Sequence, residues 1–286
     1  VSIEHLGTGI VKISNGVTIQ PEIFPAIESL RQDALNNHYT YVYDEEGNIM
    51  HATNLSGHRF TPEELDANCV RINNFHELEE EWQSAYFRNL ETEIYAALLK
   101  YATQFPMIIP CLWWKTKGHV LSYKPGSALG LHADNDINYQ PHYEPDYQLG
   151  IKHVLAAIAY LNDDYEGGEI VFPYAGVTYS PKAGDVLLFP ANFICAHEVK
   201  PITAGNRYAY LSYFGQGSSA PDYGVTIIED DHNINSGQVW MHNLFKDYAN
   251  YVKYNELSED LLLPIHRAFN STGTRKEINH AENASS

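Results

Sequence analysis

The sequence predicts a mainly β protein with α additions: a sandwich or jelly roll with supporting helices before it and a helical extension after it. Three observations predict this. Short apolar or alternating runs recur through residues 108–215 and are broken by Gly- and Pro-containing turns. The first hundred residues carry two stretches with apolar spacing of helical period. Beyond residue 220 the chain turns acidic and then helical in pattern. There is no internal repeat. With 286 residues the chain is long enough for one substantial core, or one domain with appendages.

The elements follow in order. Residues 21–36, PEIFPAIESLRQDALN, repeat apolar positions at helical spacing, and Pro21 suits a first helical turn. Residues 37–66 have weak periodicity and predict loops and short strands. From Asn74 to about Tyr101 the chain reads as one long helix or two shorter ones, with Phe87, Leu90, Ile94, Leu98 and Tyr101 on a buried face. The acidic run near Glu77 reads as solvated surface. Residues 108–124 favour strands and stop at Pro125-Gly126. HVLAAIAYLN at 153–162 and DVLLFP at 185–190 read as core strands, and IVFPY at 170–174 and VTYSP at 177–181 as short ones. RYAYLSYFG at 207–215 alternates aromatic and smaller residues, as a half-buried strand does. Residues 239–268 read as helical, and 270–286 as a poorly ordered end.

Composition narrows the class of function. Lys plus Arg total 18 against 36 Asp plus Glu, a formal charge of -18. A field of that sign disfavours a phosphate backbone, so nucleic acid is not an expected partner. No stretch of 18 uninterrupted apolar residues is present, and no basic-then-apolar leader opens the chain, so no membrane association is expected. Val1 reads as a processed or trimmed start. Cys69, Cys111 and Cys195 form no paired motif, which fits a reducing cytoplasm.

The chemistry-bearing set is His132-Ala133-Asp134, with His197 65 residues beyond His132 and Arg207 ten residues beyond His197. Alone, His132 and Asp134 read as a polar strand end. On a strand, however, residues i and i+2 point to one side, so both can reach one ion, and a distant strand must deliver His197. Two imidazoles and a carboxylate make a three-point face that leaves positions on an iron ion open for a cosubstrate and O₂. Arg207 can anchor an acidic cosubstrate.

Around this set lie YLN at 160–162, Gly167-Gly168-Glu169, Phe189-Pro190, and Pro181-Lys182-Ala183-Gly184-Asp185. In this ordered context the segment from about Leu121 to Gly215 resembles the 2-oxoglutarate- and Fe(II)-dependent oxygenase superfamily, and most of all its prolyl 4-hydroxylase-like branch. The resemblance implies a double-stranded β-helix (jelly roll, cupin-like) core. It implies an oxygenase domain over 1–219, with its catalytic core at about 108–216 and 220–286 as a C-terminal extension. His132, Asp134 and His197 would be the metal ligands. Arg207 would bind the distal carboxylate of 2-oxoglutarate, and Tyr123, in LSYKPG, would donate a hydrogen bond to it. Thr203 and Ser212 are further candidates for cosubstrate contact. Fe(II), 2-oxoglutarate and O₂ are implied, with ascorbate as a supporting reductant. Relatives that halogenate lack the metal-binding carboxylate, and Asp134 argues against that chemistry.

Two features depart from the prolyl hydroxylase pattern. Arg207 stands where those enzymes usually carry Lys, and a bidentate Arg serves a dicarboxylate equally well. Lys152-His153 stands where they commonly carry Arg. Trp113, Tyr139, His142 and Tyr165 are candidate lining residues of the substrate pocket. Trp113 and Trp114 cannot share one face of a strand. The Tyr-, Asp- and Pro-rich span 135–150 reads as a loop over the site or a surface crossover. His119 and His153 read as local structure, and Gly167 and Gly168 as turn residues. The expected activity is hydroxylation of an unactivated C–H bond, peptidyl proline first, with a free amino acid or other small metabolite as the alternative and a non-catalytic jelly-roll binding module as the alternative of another class. The partner is then a peptide or small-molecule substrate, and the C-terminal helices are the candidate homodimer face.

Overall fold

A computed structural model describes residues 2–54, 59–67, 69–73, 75, 78–112, 114–116, 118–135, 152–216, 238–240 and 244–267. The chain opens with a hairpin, β1 (Ser2–Gly7) and β2 (Ile10–Ser14). A 3-10 turn at Pro21–Ile23 leads into α1 (Phe24–His38), and proline in each first turn costs no hydrogen bond there. A small antiparallel sheet follows: β3 (Tyr39–Tyr43), β4 (Ile49–Asn54) and β5 (Arg59–Phe60). Next come α2 (Pro62–Ala67) and β6 (Val70–Ile72).

The long helical pattern resolves as one helix, α3 (Glu81–Gln104). The predicted stripe of Phe87, Leu90, Ile94, Leu98 and Tyr101 is its buried face. The predicted strand start at 108 is corrected. Pro106 and Pro110 hold Pro106–Cys111 as a 3-10 turn, since proline cannot donate to a ladder. Strands begin at β7 (Trp114–Thr116) and β8 (His119–Tyr123).

The remaining strands are β9 (Leu129–His132), β10 (Lys152–Tyr160), β11 (Glu166–Gly167), β12 (Ile170–Phe172), β13 (Val177–Tyr179), β14 (Val186–Pro190), β15 (His197–Val199), β16 (Ile202–Ala204), β17 (Arg207–Gln216) and β18 (Gln238–Trp240). Apart from β11 and β16, which pair with each other, they alternate between two sheets. The major sheet runs β1-β2-β14-β10-β17, and β17 then pairs with β8 along one half and β7 along the other. β6 extends β8, and β18 extends β7. The minor sheet runs β13-β12-β15-β9. This exchange of successive strands between two antiparallel sheets is the double-stranded β-helix.

Alternation on the major sheet separates two cores. Ala156, Ile158, Leu187, Phe189, Ala209 and Leu211 face the minor sheet, while Leu155, Ala157, Leu188, Tyr208, Tyr210 and Phe214 face the helices. The predicted helical stretch from 239 is part strand: β18 joins the edge of β7 before α4 (Leu244–Tyr254) begins. α4 lays Leu244, Tyr248 and Val252 on the helix-side core, and Tyr95 donates to Asp247 at 2.7 Å. No described helix is long and apolar enough to cross a membrane. The spans 136–151 and 268–286 lie outside the described residues.

Candidate metal centre and cosubstrate pocket

The pairing of β9 with β15 sets the metal-ligating geometry. His132 and His197 are direct partners across this antiparallel pair, with ring centroids 4.4 Å apart. Asp134 follows in the turn after β9. The amide of Asn135 donates to Ala191 O at 2.9 Å, tying that turn to the end of β14. On the other side, Asn192 caps the short turn at Phe193–Cys195 by accepting from the amide of Ile194 at 3.0 Å. That turn delivers His197. Ligand atoms of His132, Asp134 and His197 all lie within 4.8 Å of one another.

Backbone carbonyls orient both imidazoles. His132 Nδ1 lies 2.7 Å from Gly130 O, and His197 Nδ1 lies 3.1 Å from Cys195 O. A proton on each Nδ1 directs each Nε2 toward the space the three residues share. Phe172 and Phe189 flank the His197 ring. Burial lowers the His197 pKa and favours the neutral imidazole a metal requires. Burial pushes the Asp134 carboxyl up, but His132, His197 and Tyr213 outweigh it and hold the group below its usual range. Asp134 Oδ1 accepts from the Tyr213 hydroxyl at 3.2 Å, while Oδ2 is buried with no hydrogen-bond partner. Asp134 Oδ1 also lies 3.4 Å from His132 Nε2, and a carboxylate with an orphaned oxygen beside two oriented imidazoles fits a bound divalent ion.

Arg207 opens β17 opposite Tyr123 at the end of β8. Its side chain is 1 % exposed, and the guanidinium sits 4.6 Å from the centre of the Tyr123 ring and 5.3 Å from that of Tyr160. Burial would weaken the cation, but Tyr123, Tyr160 and Tyr165 favour it, so the group stays charged. Nε and Nη1 of Arg207 and the hydroxyls of Tyr160 and Tyr165 are buried with no partner in hydrogen-bond geometry. A fully buried guanidinium with two nitrogens orphaned and no carboxylate partner among the described residues costs several kcal/mol, so this pocket calls for a carboxylate. Leu129, Val199 and Ile202 line it with apolar surface. Gly168 makes the close approach possible. Its φ is +71°, and a Cβ there would meet Ile202 at 2.5 Å and Arg207 at 3.2 Å.

The other candidates separate by the parity of their strands. Ser212 is an odd number of residues from Arg207 and faces α3, where its hydroxyl lies 3.5 Å from Glu91. Thr203 is exposed on β16, and Ile202 takes the inward position. Neither reaches the pocket. Tyr165, expected against substrate, stands instead beside Arg207. Trp113, Tyr139 and His142 lie outside the described residues. His153 is more than local structure: its Nδ1 lies 2.9 Å from Asp134 O, and its ring stacks on Tyr213 at 3.9 Å. Tyr213 and Tyr160 were not anticipated. Tyr213 lies six residues beyond Arg207 and so shares its face, a signal the alternation of 207–215 contains. For Tyr160 the signal is fainter, an aromatic ending an otherwise aliphatic strand.

Residues 118–215, about a third of the chain, match the sequence profile of the 2OG-Fe(II) oxygenase superfamily. Among curated proteins the chain is similar to a PKHD-type hydroxylase of Psychrobacter sp. (strain PRwf-1), 33% identical over 96 residues, covering 32% of this chain and 35% of the relative. It is also similar to a PKHD-type hydroxylase of Pseudomonas putida (strain KT2440), 32% identical over 109 residues, covering 37% of this chain and 41% of the relative. The chain thus matches well under half the length of these relatives. Among solved structures, the viral collagen prolyl hydroxylase of Paramecium Bursaria Chlorella virus-1, in its 2OG complex, aligns with 16% identity and a TM-score of 0.44 over 73% of this chain and 97% of that one.

Proposed function

We propose that this chain, whose segment 118–215 belongs to the 2OG-Fe(II) oxygenase superfamily, is a 2-oxoglutarate- and Fe(II)-dependent dioxygenase that hydroxylates an unactivated C–H bond. The observation that carries the reading is the pair of complementary orphans on one inner surface: an Asp134 carboxylate with one oxygen unpaired beside two oriented imidazoles, and the buried Arg207 with two nitrogens unpaired. The first fits a divalent cation and the second an anion.

His132, Asp134 and His197 would hold Fe(II), with Tyr213 and His153 fixing Asp134. Arg207 would bind the distal carboxylate of 2-oxoglutarate, with the Tyr123, Tyr160 and Tyr165 phenols around it. Burial keeps these phenols protonated, as donors. When bound, the iron and cosubstrate supply the redox chemistry, in which O₂ and 2-oxoglutarate give succinate, CO₂ and a hydroxylated product. The chain's own task is to orient the cosubstrate and to keep its carboxylate end dry behind the apolar wall of Leu129, Val199 and Ile202.

Peptidyl proline is the first substrate class to test, because the chain is similar to PKHD-type hydroxylases and its segment 121–215 resembles the prolyl 4-hydroxylase-like branch. Residues 1–219 are read as one domain with 220–286 as an extension on it; the shared core of α3 and α4 supports this. Three free thiols favour a reducing, cytoplasmic setting, which fractionation of the source cells would check. The test of activity is anaerobic loading with Fe(II), followed by O₂- and 2-oxoglutarate-dependent succinate release with a panel of proline peptides and free amino acids. Succinate release stimulated by a compound that gains one oxygen atom supports the reading. Folded protein that binds Fe(II) and 2-oxoglutarate but never yields succinate would reduce it to a binding module.

A further inference from the structure

The inner face of the major sheet carries a second arginine, half-buried, that the cosubstrate reading leaves unused. Arg71 lies on the edge strand β6, directly opposite Leu121 of β8, which in turn lies opposite Ala209 of β17. Residues opposite one another in a ladder share a face. Leu121 and Ala209 belong to the core between the sheets, so Arg71 points there, while Val70 and Ile72 point into the helix-side core. Along the sheet, Arg71 is about 7 Å, two residues of strand, from the row of Tyr123 and Arg207, on the side toward His119 and Tyr213.

The groups facing Arg71 do not neutralise it. Its charge acts on Cys69, His119, His153 and Tyr213. None of the four is a carboxylate, and burial keeps the Cys69 thiol protonated. Among the described residues no carboxylate pairs with Arg71, and its Nε is buried without a hydrogen-bond partner. The formal charges nearby make the gap specific. A divalent ion, the Asp134 carboxylate, a dianionic 2-oxoglutarate and Arg207 together sum to zero. Arg71 is the charge left over, and a half-buried cation whose Nε is shut off from water without a partner calls for an anion.

We propose that Arg71 is a specificity-determining residue that binds a carboxylate carried by the primary substrate. The inference rests on the 2-oxoglutarate/Fe(II) reading and deepens it by naming a feature of the substrate. Two sources offer this chemistry: the α-carboxylate of a free amino acid, and an acidic side chain or C-terminal carboxylate on a peptide.

The experiment compares acid and amide partners. Wild type, Arg71→Gln and Arg71→Lys are assayed for substrate-stimulated succinate release with each common L-amino acid against its α-amide. The same is done with acetylated Pro-Glu and Pro-Asp peptide amides against their Gln and Asn counterparts, and with the free-acid peptides. The expected wild-type result is an acid preference in KM of about 10- to 100-fold, the scale of a charge-assisted hydrogen-bonded pair. Arg71→Gln should bring that ratio near one, and Arg71→Lys should restore part of it. Preference confined to the amino acids assigns a free amino acid, and preference within the peptides assigns a peptide carboxylate. A ratio unchanged in Arg71→Gln overturns the proposal, as does a wild type that shows no acid preference in any pair. Loss of 2-oxoglutarate affinity by the same factor would make Arg71 a cosubstrate anchor and also overturn it.

A readout without substrate accompanies these. Arg71→Met removes an unpaired, half-buried charge, so the melting temperature of the metal-free protein should hold or rise; a fall of several degrees would make Arg71 a structural residue and sink the proposal. Wild type that binds neither Fe(II) nor 2-oxoglutarate would remove the underlying reading, and the anchor with it. That result is distinct from every failure of Arg71 alone.

Discussion

The two faces of β17 carry similar side chains and treat their polar atoms in opposite ways. On the outer face, Tyr208 donates to Glu28 of α1, and Tyr210 and Ser212 donate to Glu91 of α3. Each of these three side chains meets a carboxylate of the chain itself. On the inner face, Arg207 is fully buried with two nitrogens unpaired, and Tyr213 bonds to an Asp134 whose second oxygen is orphaned. The same alternation therefore builds a closed polar seam on one side and an open one on the other. A buried guanidinium and a buried carboxylate that both keep unpaired atoms on one face point to something outside the chain that completes them. The outer seam is a device for stability, and the inner seam is a binding surface.

Substitutions can break or sharpen this contrast. The largest effect is expected from His132→Ala and Asp134→Ala, which should lower Fe(II) affinity by more than about 100-fold and abolish succinate release, since changes to mere supporting residues already cost about 10- to 100-fold. Metal titration of the folded variants checks this. Arg207→Met comes next. It should weaken 2-oxoglutarate binding by about 100-fold or more, while the melting temperature of the metal-free protein holds or rises. An inner-face charge that proved necessary for folding would erase the distinction between the faces. Glu91→Gln should do the reverse. It leaves Lys115 without its partner and weakens the bonds from Tyr210 and Gly118. A loss of about 2 kcal/mol, or about 4–8 °C in melting temperature, is expected with 2-oxoglutarate affinity retained. Tyr213→Phe should lower Fe(II) affinity by about tenfold through a loosened Asp134, with little change in melting temperature. Ser212→Ala is the smallest, within about 0.5 kcal/mol and silent toward 2-oxoglutarate, because a contact of 3.5 Å to Glu91 is weak.

The parts of the molecule that were legible in the sequence are those where a local pattern is also the structural cause. The apolar runs at 153–162 and 185–190 became the two central strands flanked by β17, because a strand buried on both faces has to be apolar throughout. His132 and Asp134 were legible because residues two apart in sequence are near in space without tertiary information, although the strand ends at His132 and Asp134 reaches the site from the turn after it. Ser212 shows where reading by residue type fails. Its hydroxyl suits a carboxylate, but its parity sends it to the helices, and counting from Arg207 discloses this. Arg71 left no such signal. It sits in a three-residue strand whose neighbour, β8, is about fifty residues away, and only the ladder pairing brings it to the inner face. The 108–111 segment misled because its apolar residues were read as strand while Pro106 and Pro110 hold 106–111 as a 3-10 turn, proline having no donor to give a ladder.

The most direct measurement of the central claim is paired equilibrium binding of Fe(II) and 2-oxoglutarate to the anaerobic protein, followed by O₂ admission and succinate quantification, in wild type, His132→Ala and Arg207→Met. The account predicts that wild type binds both and releases succinate, that His132→Ala loses the metal, and that Arg207→Met keeps the metal and loses 2-oxoglutarate. Wild-type protein that folds and binds neither, or an Arg207→Met variant that binds 2-oxoglutarate as wild type does, would contradict it.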